Sequence, residues 1–172
     1  AADGTESYNV AVGYNAMGDV NHDDADSNVC IGAYAGDEIG ANAFANSVCI
    51  GAGSVSSPLT SDASGVVAVG YESLKNLSSG QRNVAVGFQA LNENTIGDSN
   101  IAIGYEAAFD TLGGLQNDNN IAIGSANPDG TKGAMGGTWL TAASINNVAI
   151  GTGSMSGDMN AANYNVAMGT NA

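Results

Sequence analysis

One five-residue phrase recurs nine times along the chain and constrains its fold more than any other feature. Each copy opens on a residue that is usually asparagine, places a small residue between two larger apolar ones, and closes on glycine, as in Asn100-Ile101-Ala102-Ile103-Gly104. The closing glycines are Gly13, Gly32, Gly51, Gly70, Gly87, Gly104, Gly124, Gly151 and Gly169. They are 19, 19, 19, 17, 17, 20, 27 and 18 residues apart. A fixed phrase with elastic spacing predicts a stacked repeat with one structural unit per period.

The phrase itself has the pattern of a short β-strand. In the copy that ends at Gly104, the two isoleucines point to one side of a strand, and Asn100, Ala102 and Gly104 point to the other. Neither side carries a charge, so we expect both sides to be covered, as in parallel sheets. β-branched residues favour the pleated strand, and no 3.6-residue period develops that would indicate a helix.

A second, weaker phrase follows each glycine, as in Tyr71-Glu-Ser73-Leu74 and Phe88-Gln-Ala90-Leu91. It predicts a second short strand on another wall of the coil. The glycine between the two phrases then marks a corner, where positive φ or a close backbone approach excludes a Cβ atom. The sequence therefore predicts an all-β parallel β-solenoid of about nine coils, with two short strands per coil. Residues 1–172 form one repeat domain, and residues 125–146 form an inserted loop.

In-register stacking of coils places equivalent residues about 4.8 Å apart along the axis. Asparagines at the start of the phrase, such as Asn83, Asn100 and Asn120, then form a ladder of hydrogen-bonding side chains. The aromatic residues Tyr71, Phe88 and Tyr105 occupy one position in three successive coils and predict an aromatic stack. Both ladders favour a structural role. The alternative for the aromatic residues is a sugar-binding platform.

The charge pattern excludes some classes of partner. Against 17 acidic residues the chain has only Lys75, Arg82 and Lys132, which gives a net charge of −14. No charge falls inside the repeated phrase, so the acid covers the surface. Binding to phosphates requires clustered Lys or Arg, so we exclude nucleic acid as a partner. No segment approaches the ~18 consecutive apolar residues of a membrane span, so we expect no membrane insertion by this segment.

The repeats resemble the head repeats of trimeric autotransporter adhesins (YadA-like), whose motif is close to Asn-Ser-Val-Ala-Ile-Gly followed by a Ser or Ala phrase. The stretch from Gly87 to Gly97 is also similar to repeats of bacteriophage tail fibres. The resemblance covers nearly the whole chain, and it implies a left-handed parallel β-roll in which three chains pack about a common axis. The loops are longer than in compact heads, above all between Gly124 and Gly151.

Candidate metal ligands are few. The only histidine, His22, lies beside Asp23, Asp24 and Asp26, whose carboxylates are the oxygen ligands that Ca²⁺ prefers. The spacing matches neither an EF-hand loop nor a Gly-Gly-x-Gly-x-Asp repeat, and a solvated acidic loop is the alternative that we favour. The run 117–120 (Asn-Asp-Asn-Asn) is a second, weaker candidate, with a simple turn as its alternative. We expect no other cofactor.

Nothing in the sequence indicates an enzyme. Cys30 and Cys49 occupy the same phrase position in adjacent coils, at a Cα separation that a disulfide can span. Because in-register side chains run side by side, a bridge would be strained, and we favour two buried thiols that act as small apolar residues. Neither cysteine has a histidine or another base beside it in the sequence, and no pair of carboxylates stands out.

The segment 125–146 is the strongest candidate for binding. It is the longest departure from the repeat, and it holds Lys132, Met135 and the only tryptophan, Trp139. Insertions in repeat proteins often carry binding residues. The alternative is a loop that folds back over a neighbouring coil or subunit, with Trp139 as its anchor.

Together these features predict a non-enzymatic segment of an extracellular trimeric attachment fibre, similar to a phage tail fibre, that gives a rigid shaft or head for adhesion. Its predicted partners are two further copies of the chain and a cell-surface glycan or protein receptor. One alternative is the head of a bacterial surface adhesin. Another is a purely structural extracellular filament subunit.

Overall fold

A computed structural model describes residues 8–20, 24–109, 115–137, 143–158 and 161–172. It contains nine short parallel strands in a single sheet, ordered along the sheet as along the chain. The strands are β1 (Val10–Val12), β2 (Val29–Ile31), β3 (Val48–Ile50), β4 (Val67–Val69), β5 (Val84–Val86), β6 (Ile101–Ile103), β7 (Ile121–Ile123), β8 (Val148–Ile150) and β9 (Val166–Met168). The predicted parallel β-solenoid is confirmed, and each coil is numbered here by its strand.

The register of the sheet follows the repeated phrase without a slip. Between β5 and β6, for example, Val84 pairs with Ile101 and Ala85 pairs with Ala102. A one-residue slip would turn every side chain to the opposite side of the sheet, so the alternation of small and large residues specifies this register. Small residues therefore stack on small residues, and large on large, from β1 to β9.

The closing glycines form the corner of each coil, as predicted. Gly87 and Gly104 have φ values of 141° and 133°, a region that L-residues rarely adopt. A Cβ atom on Gly87 would run into the carbonyl oxygen of Gly104 in the next coil. On Gly104 it would lie 2.8 Å from the carbonyl carbon of Gly124. Both conformation and space therefore require glycine at this corner.

The second phrase does not form the predicted second strand. Within the described ranges each coil contributes one β-strand, and the residues after the corner form turns. Glu72 and Leu74 take positive φ values of 52° and 50°. Their amides donate in opposite directions, Glu72 N to Ala52 O at 3.0 Å and Leu74 N to Ala90 O at 3.0 Å. This second wall is thus a ladder of stacked turns that satisfies backbone groups without β-geometry.

The core lies between the sheet and the stacked turns. Each strand presents a single small residue to it, such as Ala85 or Ala102, and both are fully buried. The larger buried side chains come from the turns and loops: Ile39, Phe44, Val55, Leu74, Leu77, Leu91 and Met135. Because a coil is narrow, small residues on the strand leave room for these larger ones.

Candidate functional site

The strand side that faces away from the core is an uncovered apolar surface. We call it the outer apolar face, formed by the first and last residues of each strand from β1 to β9. Ile31 and Ile103 on this face are 38% and 40% exposed, and Val166 is 70% exposed. All eighteen positions are valine, isoleucine or methionine, so the face carries no charge. One chain therefore covers only one of the two sides that the sequence predicts to be buried.

The predicted asparagine ladder lies on the buried side. Asn100 N and Nδ2 both donate to Asn83 Oδ1, at 2.8 and 3.2 Å. Asn120 repeats the pattern on Asn100 Oδ1, at 2.9 and 3.1 Å. Asn147 and Asn165 continue it through the last coils. Each asparagine therefore holds its coil to the preceding one, which is a structural role.

The ladder changes in the coils where the phrase departs from asparagine. Ser47 N donates to Asn28 Oδ1 at 3.0 Å, and Val66 N donates to the shorter Ser47 side chain at 3.2 Å. The Val66 side chain has no polar atom and gives the next coil no acceptor. The ladder is therefore interrupted between Val66 and Asn83, and it resumes with Asn83.

Tyr71, Phe88 and Tyr105 form the predicted stack, which we call the aromatic column. Their ring centroids are 5.0 and 5.2 Å apart, with interplanar angles of 21° and 16°. Each ring therefore covers the face of its neighbour and turns its edge to solvent. A sugar stacks on the face of a ring, so the middle of the column is not a sugar platform. Free faces remain only at its two ends, on Tyr71 and Tyr105.

A polar row runs beside the aromatic column. Glu72 accepts hydrogen bonds from Lys75 Nζ at 2.8 Å and from Gln89 Nε2 at 2.7 Å. The bond from Lys75 and then the bond from Gln89 lower the pKa of Glu72. The Glu72 carboxylate in turn raises the pKa of Lys75. These charges indicate that the second wall is in contact with solvent.

A cleft opens at each end of the aromatic column. The cleft beside Tyr71 has a volume of about 290 Å³, and the small residues Ala52 and Gly53 are among those that line it. The cleft beside Tyr105 is larger, about 510 Å³. It is lined by Tyr105, Glu106, Ala126, Asn127, Pro128 and Gly130. Sequence reasoning missed both clefts. The signal that was available is the small residue at the column position in the adjacent coils, Ala52 and Ser125.

The described parts of the segment 125–146, residues 125–137 and 143–146, only partly leave the solenoid. Ala126 still donates to Tyr105 O at 2.8 Å, and by Lys132 the chain is back on the second wall, where its carbonyl accepts from Gly153 N at 3.0 Å. Met135 is fully buried in the core, so its side chain is not available as one of the binding residues predicted in this segment. It lies there because its backbone rejoins the ladder of turns, donating to Ser154 O at 2.9 Å. Trp139 lies outside the described residues.

The metal candidates gain no geometric support. Asp23 lies outside the described residues, as does His22, while Asp24 is exposed and Asp26 half-buried. In the part of the chain that the structure describes, no three His, Cys, Asp or Glu side chains are grouped to hold a metal ion. In the run 117–120, the first and last asparagines are buried, and their side-chain oxygens accept hydrogen bonds from Ser144 N and Asn147 N of the next coil, so they are structural.

The two cysteines are buried free thiols in register with each other. A hydrogen bond to Cys30, together with burial, raises the pKa of the Cys49 thiol well above its ordinary value. A thiol held in its protonated form is a poor nucleophile and a poor metal ligand. Cys30 and Cys49 therefore act in the core as the alanines do at the same position of other coils.

Within the described ranges, the chain has no helix that is long and apolar enough to cross a membrane. The chain was also compared with protein-family models, with curated proteins and with solved structures, and none of them matches it.

Proposed function

We propose that this chain is a non-enzymatic segment of an extracellular attachment fibre in which three copies pack side by side. The observation that carries the proposal is the outer apolar face. Nine consecutive strands present valine, isoleucine or methionine outward with no charge among them. A continuous apolar surface of this length is unfavourable in water and is typical of an interface between proteins.

A second copy of the same chain is the best-matched cover for this face. Copies that run parallel in the same register have the same rise per coil, so their apolar rows meet along the whole length. The net charge of −14 lies elsewhere on the surface and makes copies repel one another in other orientations. Because the face is neutral, contact between copies is favoured there. The number of three copies comes from the resemblance to adhesin and tail-fibre repeats.

A trimeric rod suits attachment because it presents three copies of every surface loop in one direction. Each contact with a cell surface can then be weak, since linked contacts add through effective concentration. The second wall, with its polar row and its two clefts, lies on another side of the coil from the outer apolar face. It stays accessible when that face is covered.

The test is binding of the fluorescently labelled protein to a panel of bacterial and animal cells and to a glycan array. An attachment segment retains the label on at least one surface, and the variant Ile103→Asp, designed to be monomeric, loses most of that retention with the loss of avidity. If the assembled protein binds no surface, the proposal fails and a structural filament subunit replaces it.

A further inference from the structure

Tyr105 ends the aromatic column with one free ring face. Its ring stacks on Phe88 at 5.2 Å and 16°, which covers the face towards coil 5. The opposite face looks towards coil 7, where Ser125 occupies the column position. The Ser125 hydroxyl accepts a hydrogen bond from Tyr105 N at 3.1 Å, so this side chain is held against the backbone. The space that a further ring would fill is therefore open.

A short loop encloses this space from the other side. Residues 127–131 leave the coil and return, closed by a hydrogen bond from Asn127 N to Thr131 O at 2.8 Å. Gly130 N donates to Asn127 O at 3.1 Å, and Thr131 N donates to Asp129 Oδ1 at 2.9 Å. A loop with these internal bonds is ordered before any ligand arrives, which lowers the entropic cost of binding.

The cleft between Tyr105 and the loop combines apolar and polar groups. Tyr105 and Pro128 supply apolar surface, Asn127 supplies an amide, and Glu106 supplies a carboxylate. The volume of about 510 Å³ lies within the range of small-molecule sites. Such sites are mostly apolar, with a few polar groups that orient the ligand.

We propose that this cleft binds one pyranose unit of a neutral glycan. The C–H face of the sugar ring packs on the free face of Tyr105, while its hydroxyl groups donate to Glu106 and exchange hydrogen bonds with the amide of Asn127. An organic cation is the competing ligand for an aromatic ring beside a carboxylate. Cation cages surround the ligand with several aromatic rings, however, and Tyr105 is the only aromatic residue among the described residues that line this cleft.

The proposal deepens the attachment function, since it identifies the receptor chemistry, and it rests on that function for its biological meaning. The site itself is built from one chain, from coil 6 and the loop that follows β7. Binding of a monosaccharide therefore does not depend on whether the chain forms a trimer. A negative result here leaves the oligomer test intact, and the reverse also holds.

The experiment is ligand-observed saturation-transfer NMR with methyl glycosides of glucose, galactose, mannose and N-acetylglucosamine, with choline as the cationic probe. At least one glycoside is expected to bind, with a dissociation constant on the order of millimolar for so small a ligand. Its ring C–H protons on one face receive the strongest saturation. No binding by any glycoside overturns the proposal, as does binding of choline alone.

Matched variants locate the site. Tyr105→Ala removes the free face in the cleft and is expected to weaken binding by at least about tenfold. Tyr71→Ala removes the ring at the opposite end of the same column and is expected to leave binding unchanged. Equal loss in both variants, or loss in neither, contradicts the assignment. If Tyr105→Ala does not fold, Tyr105→Ser replaces it, because coil 7 already carries serine at this position.

Discussion

Ala102 and Ile103 are neighbours in β6, yet they face different surroundings. Ala102 is fully buried against the core, whereas Ile103 is 40% exposed on the outer apolar face. The same contrast holds from β2 to β8, where the middle residue of each strand is buried and its two neighbours are not. One chain completes the inner side of the sheet by itself and leaves the outer side apolar and uncovered. We therefore propose that the inner side governs folding and that the outer side governs assembly.

Substitution of a corner glycine gives the largest effect expected on the inner side. Gly87→Val places a β-branched side chain at φ 141°, against the carbonyl oxygen of Gly104. We expect a loss of at least about 4 kcal/mol in the free energy of unfolding, and in practice no folded protein. The measurement is thermal unfolding by circular dichroism. Gly157→Val is the matched control, because a Cβ there would meet no atom within 4 Å. A normal melting curve for Gly87→Val would contradict the assignment of Gly87 to the corner of the coil.

Truncation of one rung of the asparagine ladder ranks next. Asn100→Ala leaves Asn117 O and Asn120 N without the partners that they have at 2.6 and 2.9 Å. Each buried polar group left unpaired costs about 1–3 kcal/mol, so we expect the two groups to give a loss of about 2–6 kcal/mol in the free energy of unfolding, measured with denaturant. Asn165→Ala, at the exposed end of the ladder, should cost less than half as much. Equal losses at the two positions would show that burial does not set the strength of the ladder.

A charge on the outer side should separate assembly from folding. Ile103→Asp puts a carboxylate at the centre of the proposed interface, where desolvation of an unpaired charge is costly. We expect sedimentation to show single chains, and we expect circular dichroism to show that those chains are still folded, since Ile103 is 40% exposed in one chain and contributes little to its own core. Thr60→Asp, on an exposed loop, is the control and should leave the mass unchanged. An unaltered mass for Ile103→Asp would contradict the division between the two sides.

The smallest effect concerns the polar row on the second wall, which belongs to neither side of the sheet. Because bonds from Lys75 and Gln89 lower the pKa of Glu72, its carboxylate stabilises the fold above its unfolded pKa of about 4.3. That stabilisation is lost as the pH falls through the lowered pKa. Glu72→Gln should therefore cost about 0.2–1 kcal/mol at pH 7 and nothing in strong acid, measured by unfolding at both pH values. If the destabilisation caused by Glu72→Gln grew as the pH fell, it would contradict a lowered pKa for Glu72.

The repeated phrase was sufficient to predict the parts of the fold that depend on alternation. It placed the strands, their register, the corner at Gly87 and Gly104, the asparagine ladder and the aromatic column. Each of these depends on a residue type that has one strong physical preference, such as glycine at positive φ or asparagine facing asparagine at a fixed spacing.

The turns of the second wall were not predicted, because their residues adopt backbone φ values that they rarely take. Glu72, Leu74 and Leu91 take positive φ, which side chains of this kind rarely do, so the sequence gives no signal for the turns. The position of Met135 was missed for a related reason. The spacing of 27 residues to Gly151 hides the point at which the chain rejoins the coil. The cleft at Tyr105 depends on the same excursion. Ser125 signals in the sequence that the aromatic column ends there, but the loop that lines the cleft is visible only in the structure.

The central claim is that the outer apolar face is covered by two further copies of the chain. Absolute mass in solution, by light scattering on a sizing column, tests it most directly. One chain has a mass of 17.0 kDa. We expect a single species near three times that mass, stable on dilution. A species at the mass of one chain would contradict it, since the valine and isoleucine rows would then remain in water along the whole sheet.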